Sequence, residues 1–299
     1  MSILQAMSRL RLGVVACVLG VVLGGCTTGP ARDAIPPFRQ GVITANQQSQ
    51  ATFAEVNAML REQQLDRAAG LSTLNEEAFV TVLPSEDLAV WNRAFTSIAD
   101  YAGKIESLLA PERRTEIQEE LHKLGADLQG RFANATGSEL PPGVAGGFVQ
   151  LGGLLAQMKA QSDALAIIRQ ADPSVQGIFE SMGEAIGESP EDGIRGTVWT
   201  NWTQDLGEIQ LEFLHASANQ KRQVAARYAN MLAEREAYDR TLASLRTSIL
   251  SLGAVHHQLA QGESTSAAGL LDFIESEYTA LHEEIKALAE ARKNAGGTE

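Results

Sequence analysis

The sequence predicts an all-α fold: an elongated, mainly antiparallel multi-helix bundle with coiled-coil-like segments. Three observations predict it. Apolar residues recur at intervals of three and four through most of the 299 residues, the period of one helix face. Six or more such stretches are separated by brief connectors, which lets neighbouring helices bury their stripes against one another. No stretch carries the repeated alternation of a half-buried strand.

The first stripe runs from Phe38 to about Ala69, with Val42, Ala45, Ser49, Phe53, Val56 and Leu60 on one face. Gly70 to Pro84 interrupts it as an irregular apolar connector. Ser85, followed by Glu86 and Asp87, reads as a helix start, since a hydroxyl caps free N–H groups and acids suit the first turn. The stripe Leu88, Trp91, Phe95, Ile98, Ala102, Ile105 and Leu109 follows. Pro111 and Glu112 restart the chain, and Ile117, Leu121, Leu124 and Leu128, extended by Phe132, form a coiled-coil-like seam.

Pro141 to Met158 differs in kind. It carries no charge and holds Gly143, Gly146, Gly147, Gly152 and Gly153 among Val144, Phe148, Leu151, Leu154 and Leu155. Gly143-x-x-x-Gly147 is a spacing at which helices approach closely. Glycine also costs helix stability, and the run is barely long enough to span a bilayer, so a buried or partly irregular core helix is expected. Asp172-Pro173 reads as the start of a separate helix carrying Val175, Ile178, Phe179, Met182 and Ile186, with the proline where no N–H partner is needed. Gly187 to Gly196 is a candidate internal linker.

From Thr197 the pattern runs long. Trp202, Leu206, Ile209 and Phe213 lead into Val224, Tyr228, Met231, Tyr238, Leu242, Leu245, Ile249, Leu252 and Leu259, across a polar passage at Ser217 to Gln223 that either bends or simply faces solvent. Gly262 to Ser266 breaks the run. A last helix over about 267–295 presents Leu270, Tyr278, Leu281, Ile285 and Leu288.

The first 25 residues have another use. Arg9 and Arg11 are their only charges, and Leu12 to Gly24 is an apolar stretch of 13 residues, too short for a hydrocarbon core that needs ~20. Leu23-Gly24-Gly25-Cys26 closes it. This run resembles the lipobox of bacterial lipoproteins, with Leu23 at the preferred large position, Gly25 at the preferred small one, and Gly24 a less common choice. The resemblance covers about the first 30 residues. It implies that the Cys26 thiol receives a diacylglycerol thioether, that residues 1–25 are removed as a signal peptide, and that the new amino group is acylated. Two or three acyl chains hold a protein on a bilayer where one is marginal. Thr27 stands where members of this class kept in the inner membrane often carry Asp, so the expected address is the outer membrane, facing the periplasm. Residues 26–37 hold three prolines and read as a lipid-anchored, extended tether, followed by an acidic all-helical domain over 38–299.

Cysteine usage agrees with this organisation. Cys17 leaves with the leader and Cys26 is acylated, so the remaining domain has neither thiol nor disulfide and must hold by packing alone. Removing two arginines takes Lys plus Arg from 24 to 22 against 37 acids, a formal charge of −15. That balance opposes nucleic acid and anionic headgroups as primary partners and leaves a basic protein partner open.

Chemistry-bearing patterns are sparse. Glu119 with His122 and Glu212 with His215 are two Glu-x-x-His steps, the ligand spacing of dimetal helical bundles. At 100° per residue, Glu119 and His122 fall about 170° and 130° from the centre of their apolar face, and Glu212 and His215 about 85° and 145° from theirs, so no metal is expected there. His256-His257 point 100° apart, and His282 stands beside Glu283 and Glu284. All five histidines read as surface or boundary residues. No His-Glu-x-x-His, Gly-x-Ser-x-Gly or phosphate-cradling Gly-Lys-Ser/Thr run occurs. No catalytic residue and no cofactor are assigned.

Trp199 and Trp202 adjoin the candidate linker and are the candidate partner-binding residues, since tryptophan anchors either a core or an interface. The functional expectation is a lipid-anchored, periplasm-facing helical protein that binds or scaffolds an envelope protein, with toxin immunity or phage exclusion as a narrower form. The alternative is an envelope enzyme acting on cell wall through paired carboxylates, or a dimetal bundle enzyme.

Overall fold

The computed structural model describes residues 29–70, 84–109, 114–132, 141–158 and 163–262, with isolated positions over 73–83 and 269–290. Seven helices are formed among the described residues: α1 (Gly29–Ala69), α2 (Ser85–Ser107), α3 (Arg114–Phe132), α4 (Pro142–Ala156), α5 (Ala164–Ile186), α6 (Gly193–His215) and α7 (Ala218–Gln261). No strand occurs among them. The chain is an all-α bundle.

Neighbouring helices run antiparallel. Phe53 meets Trp91 edge to face at 5.2 Å between α1 and α2. Phe132 stacks on Phe148 at 4.2 Å between α3 and α4. The apolar stripes become one core: Val42, Phe53, Val56, Phe95, Ile98, Ile105, Ile117, Leu121, Val175, Ile178, Phe179, Leu242, Leu245, Ile249 and Leu252 are all buried within it. Each large apolar side chain buried this way contributes about 1.5–3 kcal/mol, and that collective burial selects the helical faces.

The uncharged glycine run forms α4, and its glycines explain its position. A methyl group added to Gly125 of α3 would lie 2.6 Å from the Gly152 carbonyl, and one added to Gly147 would lie 2.5 Å from Ile178 of α5. Close backbone approach therefore places α4 between α3 and α5, inside the protein rather than along a bilayer. No helix of the described residues is long and apolar enough to cross a membrane.

Three local expectations are corrected. Residues 29–37 are helical instead of extended; Pro36 and Pro37 lie inside α1 because Ala34, Ile35 and Phe38 are buried. Ser85 does not cap α2, because Pro84 holds the extended cap position and Ser85 is already helical. Pro173 does not open a helix: α5 begins at Asp163, whose side chain accepts from the Ala166 N–H at 2.7 Å, and continues through the proline. A mid-helix proline costs ~3 kcal/mol, an amount offset by burial of Ile167, Ile168, Val175 and Ile178 on either side. Of the two readings of the passage at Ser217 to Gln223, the structure shows the bend: the chain folds back at residues 216–217, and the Ser217 N–H and hydroxyl both donate to the Gln220 side chain at the start of α7.

The proposed start at Pro111 lies outside the described residues, as do Cys26, the leader and most of the last expected helix. Of that last stretch, His282 is placed 3.6 Å from Glu55 of α1.

Candidate functional site

The α6–α7 hairpin begins at a clamped turn. Gly187 and Gly193 take positive φ values of 112° and 57°, which glycine adopts without the Cβ clash that penalises other residues. Arg195, buried one turn later, donates to both carboxylate oxygens of Asp239 at 2.8 and 2.9 Å. Its remaining N–H groups reach the Gly187 and Glu188 carbonyls at 3.3 and 2.8 Å. One guanidinium thus fixes α6 against α7 and caps the end of α5, a use that requires the planar fork of arginine.

The two candidate tryptophans diverge from this base. Trp202 is fully buried against Tyr238, 6.3 Å between rings, so its ring is held inside the core and not presented to a partner. Trp199 is partly exposed, with the Arg235 guanidinium 3.8 Å above its ring, a cation–π stack. On a helical wheel Trp199, Thr203, Gln210 and Leu214 fall along one stripe of α6.

Beyond the body the hairpin becomes a free arm. Arg67, near the end of α1, reaches Asn201 and Gln204 at 3.3 Å each and Asp205 at 3.4 Å. From Gln210 to Gln223 every residue except Ala216 is exposed. The arm is held by Gln210 donating to the Tyr228 hydroxyl at 2.7 Å, by an ion pair of Arg227 with Glu212, and by burial of Ile209 and Val224. Ile209, Gln210, Phe213 and Leu214 of α6 and Val224, Ala225 and Tyr228 of α7 line an apolar groove of ≈ 460 Å³. Leu211, Phe213 and Leu214 are 60%, 37% and 71% exposed, and the Lys221 ammonium lies 5.0 Å over the Phe213 ring.

A second cluster lies in the core. His256 Nδ1 faces Asp172 Oδ1 at 2.9 Å, and its Nε2 meets the Tyr101 hydroxyl at 3.2 Å. Because the carboxylate only accepts, Nδ1 carries the proton and Tyr101 donates to Nε2. Half-exposed His257 donates to the other oxygen, Asp172 Oδ2, at 2.7 Å, as does Gln176 at 2.7 Å. Burial pushes the His256 pKa down against the opposing pull of Asp172. Burial alone would raise Asp172, but hydrogen bonding and electrostatic attraction from the two imidazoles together outweigh it and hold the carboxyl below its ordinary range. Burial raises Tyr101. The order Tyr, His, Asp is that of nucleophile, base and orienting acid, yet the Tyr101 hydroxyl is sealed in the core and kept neutral. The cluster ties α2, α5 and α7 together.

His256 therefore corrects the surface reading of the histidines. The signal in the sequence is the adjacent pair His256-His257 together with Asp172: two imidazoles 100° apart reach the two oxygens of one carboxylate from α5. The Glu-x-x-His residues have other surroundings: Glu119 is exposed, His122 contacts the Met158 carbonyl at 3.0 Å, Glu212 pairs with Arg227, and His215 is exposed. Among the described residues no three His, Cys, Asp or Glu side chains gather as metal ligands. No protein-family model matches the chain, and comparisons with curated proteins and with solved structures find no match.

Proposed function

We propose that the chain is a lipid-anchored protein of the bacterial envelope, acylated at Cys26 and facing the periplasm from the outer membrane, that binds or braces another envelope protein through the open face of the α6–α7 hairpin. The observation that carries this reading is the groove on the arm, an apolar concavity framed by two helices and continued toward Trp199. Grooves of this kind take the apolar face of a partner helix, with a few large side chains supplying most of the affinity. The lipobox-like leader supports the anchoring, and Thr27 supports the outer-membrane address.

The test is cross-linking in intact envelopes from a photoreactive residue placed at Gln210 or Ala225. The expected result is one reproducible partner band that weakens at least tenfold with Tyr228→Glu while the melting temperature holds. A band from neither position, in membranes retaining the protein, overturns the reading. In the immunity or exclusion form, deleting the protein sensitises cells to one toxin or phage instead of weakening the envelope generally.

A further inference from the structure

The groove does not account for the end of the arm. Leu211 is 60% exposed and does not line the groove, so an occupant seated between α6 and α7 leaves it in water. Together with Leu214 it forms an i, i+3 apolar pair in the last turns of α6. Lys221 and Arg222 follow at the start of α7.

The charge at this end also departs from the rest of the chain. From Ile209 to Met231 the bases are Lys221, Arg222 and Arg227 and the acid is Glu212, a net +2 in a chain of formal charge −13. Arg227 is paired with Glu212, so Lys221 and Arg222 carry the excess; Glu208 lies one turn nearer the body. The C-terminus of α6 and the N-terminus of α7 meet here with opposite dipoles, so the side chains set the field.

Phe38 packs on His256 at 5.5 Å, which places the start of α1 beside the end of α7, whereas Ser217 stands 39 residues away along α7, roughly 60 Å at 1.5 Å per residue. The apolar, basic end therefore lies opposite the end from which the N-terminal segment departs.

We propose that the end of the α6–α7 arm docks on an anionic lipid bilayer, with Leu211 and Leu214 entering the headgroup–acyl boundary and Lys221 and Arg222 lying among the phosphates. Exposed leucines beside bases are the composition of interfacial helices, and each basic residue is drawn to an anionic surface over about a Debye length. Whole-chain charge opposes such contact, but a local reversal at a projecting end brings that end to the surface first. An end-to-end contact between two copies is disfavoured because both ends would present the same sign. This inference goes beyond the protein-binding reading: Leu214 lies on the rim shared with the groove, whereas Leu211, Lys221 and Arg222 lie outside its lining.

The experiment uses the acylated protein anchored in phosphatidylcholine vesicles, with Asn219→Cys labelled by an environment-sensitive dye. Adding a second population of vesicles, phosphatidylcholine with 30% phosphatidylglycerol, should shift the dye emission to the blue, while pure phosphatidylcholine vesicles should not. Leu211→Glu with Leu214→Glu should abolish the shift. Lys221→Gln with Arg222→Gln should weaken it at least tenfold and remove its salt dependence, both variants keeping the parental helical melt. No shift with anionic vesicles, an equal shift in either double variant, or a shift without added vesicles that grows with protein concentration overturns the proposal. Release from the first vesicles with a responsive arm removes only the anchoring reading; firm anchoring with a silent arm removes only this one.

Discussion

His256 Nδ1 lies 2.9 Å from Asp172 Oδ1 across the α5–α7 contact, with the imidazole 1% exposed. That pair, with Tyr101, makes stability depend on pH in a defined direction. The His256 pKa is lowered from 6.5 by burial, so the folded state disfavours the proton that the unfolded state accepts. Its stabilisation is present above 6.5 and lost as pH falls through the folded value. Asp172, also lowered, adds a second loss in acid. Tyr101 is raised from 10, so its stabilisation is present below 10 and lost as pH rises beyond it. Urea unfolding midpoints should form a plateau between about 6.5 and 10, and a maximum below 6 would refute the assignment.

Removing one partner should be worse than leaving the cluster whole. Asp172→Ala strands the buried His256 N–H, at a cost of about 1–3 kcal/mol. His257→Gln, at a half-exposed position, should cost less than ~1 kcal/mol. Chemical denaturation of the two variants side by side checks the order.

Two glycines of α3 should respond with opposite signs. Gly125→Ala forces a methyl to 2.6 Å from the Gly152 carbonyl and should destabilise by about 1–3 kcal/mol through overpacking. Gly130→Ala meets nothing within 4 Å and should stabilise by about 0.5–1 kcal/mol. Melting temperatures decide it.

Arg195→Lys keeps the charge but loses the fork that holds Asp239 and the two carbonyls. A loss of about 1–3 kcal/mol is expected, the cost of leaving part of this buried hydrogen-bond set unmade. Local hydrogen exchange should rise first in the 187–193 turn.

Cys26→Ser should block both acylation and leader removal. The wild-type chain should incorporate labelled palmitate and migrate as the shortened form, while the variant should be unlabelled and larger by the 25-residue leader. A labelled variant would refute Cys26 as the acylated residue.

Much of the fold was legible along the chain because helix faces are local. Val42, Phe53, Val56, Ile117, Leu121 and Leu128 share their faces by period alone, and each is buried. Boundaries were less legible. Pro173 carries a strong local signal for a helix start, and only the packing of its flanks against α7 overrides it. Trp199 and Trp202 looked alike in sequence, three residues apart, but a 300° rotation places one under Arg235 and the other against Tyr238.

The sequence by itself determined the helical class, the buried stripes and the lipobox-like run at Cys26, because each is written in neighbouring residues. Tertiary structure alone decided that Asp172 meets His256 across 84 residues. It alone also decided that Leu211 and Leu214 stay exposed while Trp202 is buried. Periodicity records which face of a helix is apolar. Which faces meet, and which stay open, depends on the packing of the whole core.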